Sequence, residues 1–193
     1  MANTESTTPL LRAALARLWL RRIASEHPAH AVRMRAKVGR ALCEAVDEAG
    51  PLGWVPYAFD VALTAALLEE LGPVGAEEFI GGIAEVAMNS PLFRPIVEGS
   101  LRVFGPSHGM VVRLGAQLWP LMCRNVLDIH IQRFSDCTVV TGEKACDALL
   151  QHASAQLLFR LQAASLFRLS GVKAKSVSLV VNRPARRVVV TLA

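Results

Sequence analysis

Leu127-Asp128-Ile129-His130-Ile131-Gln132 alternates apolar and polar residues one for one, which is the period of a strand with one buried face. The pattern returns near the end of the chain. Val177, Leu179 and Val181 alternate, then Val188, Val190 and Leu192. Between them Arg183-Pro184-Ala185-Arg186 reads as a turn, with proline at its favoured second position. Residues 137–141 read as another strand. Residues 141–170 read as one long helix, with Cys146, Leu149, Leu150, Ala153, Leu157, Leu161 and Ala164 on its inner face. Gly171 closes it. The last third is therefore expected to be a β-β-α-β-β unit, a small antiparallel sheet with a long helix.

Upstream the period changes to that of helices. Thr8-Pro9 suits a helix start, and Leu11, Ala14, Leu15 and Leu18 recur at helical spacing up to His27-Pro28. A second helix is expected over 31–48, ending at Gly50-Pro51, and 51–56 reads as a turn-rich loop. A third runs from Tyr57 to Gly72-Pro73 and a fourth over 75–89. A fifth follows Ser90-Pro91 and ends at Gly105-Pro106. A sixth spans 108–119, where Pro120 kinks or ends it. The expected class is α+β: a bundle of about six helices, then the β-β-α-β-β unit. Residues 1–8 read as a disordered tail and 9–193 as a single domain.

The 193 residues are 52% hydrophobic and 19% charged, which excludes global disorder. The mean hydropathy is +0.36, yet no run of about 20 apolar residues escapes interruption by charge. The polar start carries Glu5 and lacks an apolar h-region, so it does not read as a secretory signal. Cys43, Cys123, Cys137 and Cys146 form no CxxC pair and read as reduced thiols. A cytoplasmic setting is expected. Residues 46–100 carry nine acidic side chains against one basic, while 1–45 carry eight basic against three acidic and 101–193 twelve basic against four acidic. Such a division allows internal complementarity or a basic face for an anionic partner.

The motifs of catalysis are missing. There is no GxSxG, P-loop or GxGxxG. Ser107 and His108 are adjacent on a helix and so diverge, with no acid placed to orient the imidazole. His27 and His30 lack further ligands for a metal. The acidic pairs Glu69-Glu70 and Glu77-Glu78 read as solvated helix ends. Arg183, Arg186 and Arg187 make the last hairpin basic, but no aromatic interleaving accompanies them, so nucleic acid is not the expected partner. No catalytic residue, metal or cofactor is assigned, and the chain is not read as an enzyme.

Gly72-Pro73 followed by Phe79, then Ser90-Pro91-Leu92 and Phe104-Gly105-Pro106-Ser107, ahead of a closing β-β-α-β-β unit, resembles an uncharacterised paralogous family of myxobacteria. That family is in turn similar to the superfamily of vinyl-4-reductase-type domains, haem nitric-oxide-binding domains and small trafficking-complex subunits. The resemblance covers roughly residues 30–193. It implies an α+β fold that often dimerises and often holds a small apolar or fatty ligand between helices and sheet. Haem members use a histidine ligand on a helix, and no position here matches that pattern, so no functional residue is carried over.

The reading taken is a non-enzymatic binding or regulatory module that senses a small apolar ligand between helices and sheet. Its rival is a homodimeric or protein-interaction domain without ligand. The ligand site is expected among the central aromatics and helix glycines: Trp54, Tyr57, Phe79, Gly82, Phe93, Gly99, Phe104 and Trp119.

Overall fold

The computed structural model describes residues 7–50, 52–91, 93–104, 108–169 and 174–193. The alternating segments form a four-stranded antiparallel sheet. Its strands are β4 (Asp128–Arg133), β5 (Thr138–Glu143), β6 (Val177–Asn182) and β7 (Arg187–Leu192), in the order β4-β5-β7-β6. Register places Ile131, Val140, Val190 and Leu179 in one row across all four strands. Val188, Val190 and Leu192 are all buried on the inner face, as the alternation requires.

The helix expected over 141–170 begins later and is broken. Strand β5 continues to Glu143, a short α7 spans Asp147–Gln151, and α8 spans Ala153–Leu169. His152, with extended backbone, separates the two helices. Helix α8 buries Ala155, Leu158, Phe159, Leu161 and Ala163, and packs mainly along α4, with further contacts to α6, β6 and β7.

Six helices precede the sheet among the described residues: α1 (Ala13–Glu26), α2 (Pro28–Val38), α3 (Arg40–Glu48), α4 (Ala58–Met88), α5 (Arg94–Phe104) and α6 (His108–Met122). The helix expected over 31–48 is two, because Gly39 takes φ 96°, a conformation that side chains disfavour. The two helices expected on either side of Gly72-Pro73 are both present within the α4 span: Gly72, at φ 71° and ψ 173°, is non-helical and separates them at a kink. Helix α2 is fastened to α4 through Glu70, whose carboxylate accepts from Arg33 Nε at 2.8 Å and lies 3.0 Å from Lys37 Nζ. The hydrogen bonds from Arg33, His30 and Lys37 hold the Glu70 carboxyl down at about 2.

A second, smaller sheet departs from the expectation. Leu10–Arg12 is not the first turn of a helix but strand β1. It pairs with β2 (Trp54–Pro56), which lies in the expected loop, and with β3 (Cys123–Arg124). Leu11, Val55 and Cys123 point into the core, and Leu10, Arg12, Trp54, Pro56 and Arg124 point out. No helix of the described residues is long and apolar enough to cross a membrane. Residues 1–6, most of the expected tail, lie outside the described residues.

Candidate functional site

Tyr57 links β2 to α4. Its amide donates to Pro9 O at 3.0 Å and its carbonyl accepts from the Asp60 amide at 3.0 Å. This local geometry sets Asp60 in the first turn of α4, on the same stripe as the buried Leu63 and Leu67. Asp60 is only 1% exposed, and neither carboxylate oxygen has a hydrogen-bond partner. A helix start favours a carboxylate, but here desolvation dominates and pushes the carboxyl up to about 7. Beside it stand Tyr57 and Cys123, and Cys146 lies next to those two. Burial, then Cys123 and Asp60, raise the Tyr57 phenol well above its ordinary value. Burial, then Asp60 and Cys146, do the same to the Cys123 thiol. Burial raises Cys146 as well, against the opposing pull of the Leu149 and Ala148 amides at the start of α7. Thiols raised in this way are poor nucleophiles. Within this cluster, Asp60 is the group that burial brings towards neutrality.

Cys146 also lines a groove of about 830 Å³ that opens at the seam between the two sheets. One wall is Thr7, Thr8, Pro9, Asn125 and Leu127. The other includes Lys144, Asp147, Ala148 and Arg186. Residues 125–127 carry the chain from β3 to β4, and the Val126 carbonyl accepts from the Cys146 amide at 2.7 Å. Lys144 pairs with Asp128 at 2.8 Å, and Arg186 pairs with Asp147 at 2.8 Å while donating to Ala145 O at 2.7 Å. Among the described residues, three non-glycines have positive φ: Asn125 (55°), Lys144 (52°) and Arg186 (49°). All three line this groove. Asparagine tolerates that conformation, whereas lysine and arginine adopt it at a cost of roughly 1–2 kcal/mol each.

The residues expected to bind ligand do not share one site. Trp54 is half-buried on the outer face of the small sheet, its ring covered by the guanidinium groups of Arg12 (3.8 Å to the ring centroid) and Arg124 (4.2 Å). Tyr57 belongs to the Asp60 cluster. Phe79 packs with Trp19 (5.9 Å) and His27 (5.7 Å) on the α1 side of α4. The space beside Gly82 is taken by Arg22, whose Nη2 would lie 2.5 Å from an added Cβ. That guanidinium also stands over the Phe79 ring. Phe93 is fully buried, and Gly99 is exposed with open space around it. The side chain of Phe104 lies outside the described residues. Trp119 meets Phe159 edge-on at 6.0 Å and donates to Leu127 O at 3.2 Å, which places it behind the groove wall. Asp60, Asn125 and Lys144 escaped the reading of the sequence as site residues, and Arg186 was read only as part of a basic turn. The one available signal was an acid at 60 on an otherwise apolar stripe.

No family model and no curated protein matches the sequence. The architecture aligns with a crystal structure of the Fe(II) unliganded H-NOX protein from K. algicida. The TM-score is 0.56 at 9% identity, over 94% of this chain and 95% of that one. The fold is H-NOX-like. A point mutant of the same H-NOX protein aligns equally, at TM-score 0.56 and 8% identity. The comparisons lend no support to the narrower likeness to myxobacterial paralogues.

The H-NOX likeness raises the question of haem, which needs an axial ligand. None of the four imidazoles described in full is buried. His30 Nδ1 lies between Glu70 and Arg33, at 3.1 and 2.9 Å. His27 packs edge-on against His30. His130 sits on the outer face of β4 beside Glu143, and His152 is exposed between α7 and α8. His108 opens α6, and its side chain lies outside the described residues. The described residues do not fit a histidine-ligated haem. Among them, no three of His, Cys, Asp and Glu are grouped to hold a metal ion.

Proposed function

We propose that this chain is a non-enzymatic binding module with a regulatory role, and that its ligand enters the seam groove. The carrying observation is the coincidence of three left-handed non-glycine residues around one groove. Backbone strain kept at one place asks for a local reason, and ligand clamps and switch regions are among the places where it gathers. The buried, unpartnered Asp60, linked to the groove residue Cys146 through Tyr57 and Cys123, supports the same reading, since an orphaned buried carboxyl calls for explanation. Pro9, Leu127 and Ala148 offer apolar wall beside two ion pairs. The ligand suited to that wall is small and apolar with a polar end. A signal follows if the ligand prefers one state of the Lys144 and Arg186 backbone, because only differential affinity shifts a population. The four unpaired cysteines suit a reducing, cytoplasmic setting.

Native mass spectrometry of protein purified from its host tests the proposal. The wild type is expected to carry a small-molecule adduct, and Ala148→Trp, which fills the groove from α7, is expected to lose it while remaining folded. A wild type without adduct, or an Ala148→Trp variant that keeps it, rejects the groove as the site. The rival reading, a homodimeric interaction domain, draws on exposed Val180 and Phe134 on and beside the large sheet (63% and 51%). Sedimentation of the same samples reports on it.

A further inference from the structure

The outer face of the small sheet has an unusual composition. Three strands turn Leu10, Arg12, Trp54, Pro56 and Arg124 to the same side. Leu52 (70% exposed) and Leu121 (39% exposed) flank it, and Arg12 donates to both of their carbonyls. The face therefore joins apolar side chains to two guanidinium groups, both stacked on one indole. Among the described residues, neither arginine has a carboxylate within ion-pair distance, whereas Arg22, Arg33, Arg35, Arg40 and Arg94 each do. Burial and the neighbouring Arg124 charge both work against the Arg12 cation. Two like charges are held together here over one ring.

We infer that this face docks an acidic, apolar segment of a partner protein, with a carboxylate received by Arg124 and apolar side chains laid against Leu52, Trp54 and Leu121. The Nε and Nη1 of Arg12 are already used on carbonyls, whereas among the described residues the Arg124 guanidinium, over the Trp54 ring, has no carboxylate partner, so Arg124 is the one to receive a carboxylate. Tryptophan and arginine at the centre of an apolar patch are the side chains that most often dominate protein interfaces. A lipid surface fits less well. Polybasic membrane sites gather about four to eight cations, and the Trp54 ring is covered by two guanidinium groups rather than free to insert.

The probe is a blocked Leu-Glu-Leu-Glu-Leu pentapeptide, titrated into 15N-labelled protein beside its Leu-Lys-Leu-Lys-Leu counterpart. Saturable shifts are expected at the Trp54 indole and the Leu52 and Leu121 amides, with the lysine peptide binding at least tenfold more weakly. Arg124→Glu is expected to weaken the glutamate peptide at least tenfold and to favour the lysine peptide. Arg124→Gln keeps the comparison open should the charge reversal not fold. Equal binding of the two peptides, or unchanged affinity in both variants, overturns the inference. Two other outcomes replace it. Co-sedimentation with phosphatidylserine vesicles that Arg124→Glu abolishes would make the partner a membrane. A concentration-dependent dimer broken by the same change would make it a second copy of the chain.

Discussion

The large sheet draws its four strands from residues 128–192, each six residues long, and stacks apolar rows against α8. The small sheet joins segments of two or three residues from positions 10–12, 54–56 and 123–124. Both are antiparallel, but their stability has different sources. Long rows such as Ile131-Val140-Val190-Leu179 bury contiguous apolar area, worth roughly 25 cal/mol per Å². Strands of two or three residues bury little themselves and must close loops of more than 40 residues, at an entropic cost that rises slowly with length. The small sheet is held from outside, by the buried Leu11, Val55 and Cys123 beneath it and the Arg12 side chain above it. The unpartnered acid and the strained backbone lie at its seam with the large sheet, while the rows of the large sheet serve the core.

The largest expected effect is in the large sheet. Val190→Asp puts a charge in the centre of a four-strand row at a fully buried position. Burying an unpaired charge belongs to the class of substitutions that cost more than about 4 kcal/mol. Expression without a cooperative thermal transition is the expected result. A folded variant would mean that this sheet is as tolerant as the small one.

The next effect belongs to the seam. The folded-state carboxyl of Asp60 is raised to about 7, above its unfolded value near 4. Between those limits the folded state keeps a proton that the unfolded state releases. The contribution of Asp60 to stability is therefore full in acid, declines as pH rises towards 7, and is lost above it. The slope is about 1.4 kcal/mol per pH unit. Urea unfolding at pH 5 and pH 7 is expected to show the wild type losing more stability over that interval than Asp60→Asn, by about 2 kcal/mol. Parallel behaviour of the two proteins would show that the acid is paired or solvated.

This contrast also governs what could be read from the sequence. The large sheet was legible because alternation is local: Leu127 to Gln132 and Val188 to Leu192 each carry more than two full periods. The small sheet was not, because three residues do not complete a pattern. Leu10-Leu11-Arg12 merges into the helical stripe that follows, and Trp54-Val55-Pro56 follows Gly53 and itself ends in proline, so it reads as loop. Gly39 was visible as a residue but not as a helix break, since its φ depends on how α2 meets α3. The candidate site lay deepest. Lys144 and Arg186 give no hint of left-handed backbone, and Asp60 has as a neighbour Cys123 of β3, which reaches it from a distant position in the sequence. The aromatics were recognised as buried, but spacing could not show that they belong to separate clusters.

A milder test of the large sheet is Gly142→Ala in β5. The added Cβ would lie 2.8 Å from Val188 Cγ2 and 2.9 Å from Leu127 Cδ2, closer than packed carbon atoms allow. Leu127 also forms the groove wall. Overpacking of this kind costs about 1–3 kcal/mol, to be read from the denaturation midpoint, with the adduct of the wild type weakened in parallel. A destabilised variant that keeps full ligand occupancy would separate the sheet from the groove.

The smallest effect contrasts two arginines of the small sheet. Arg12 ties Leu52 and the end of α6 to β1 through hydrogen bonds to the Leu52 and Leu121 carbonyls, and stacks on Trp54. Arg124 stacks on the same ring but is exposed. Removing a charged donor from two carbonyls costs more than removing a surface cation, because the carbonyls lose their partner and the strands lose a cross-tie. Arg12→Ala is expected to lower stability by about 1–2 kcal/mol, and Arg124→Ala by no more than about 0.5 kcal/mol. Measured together by thermal denaturation, the pair distinguishes a bolt from a docking residue. If Arg124→Ala proves as costly as Arg12→Ala, both arginines serve to hold the small sheet, and its outer face is structural.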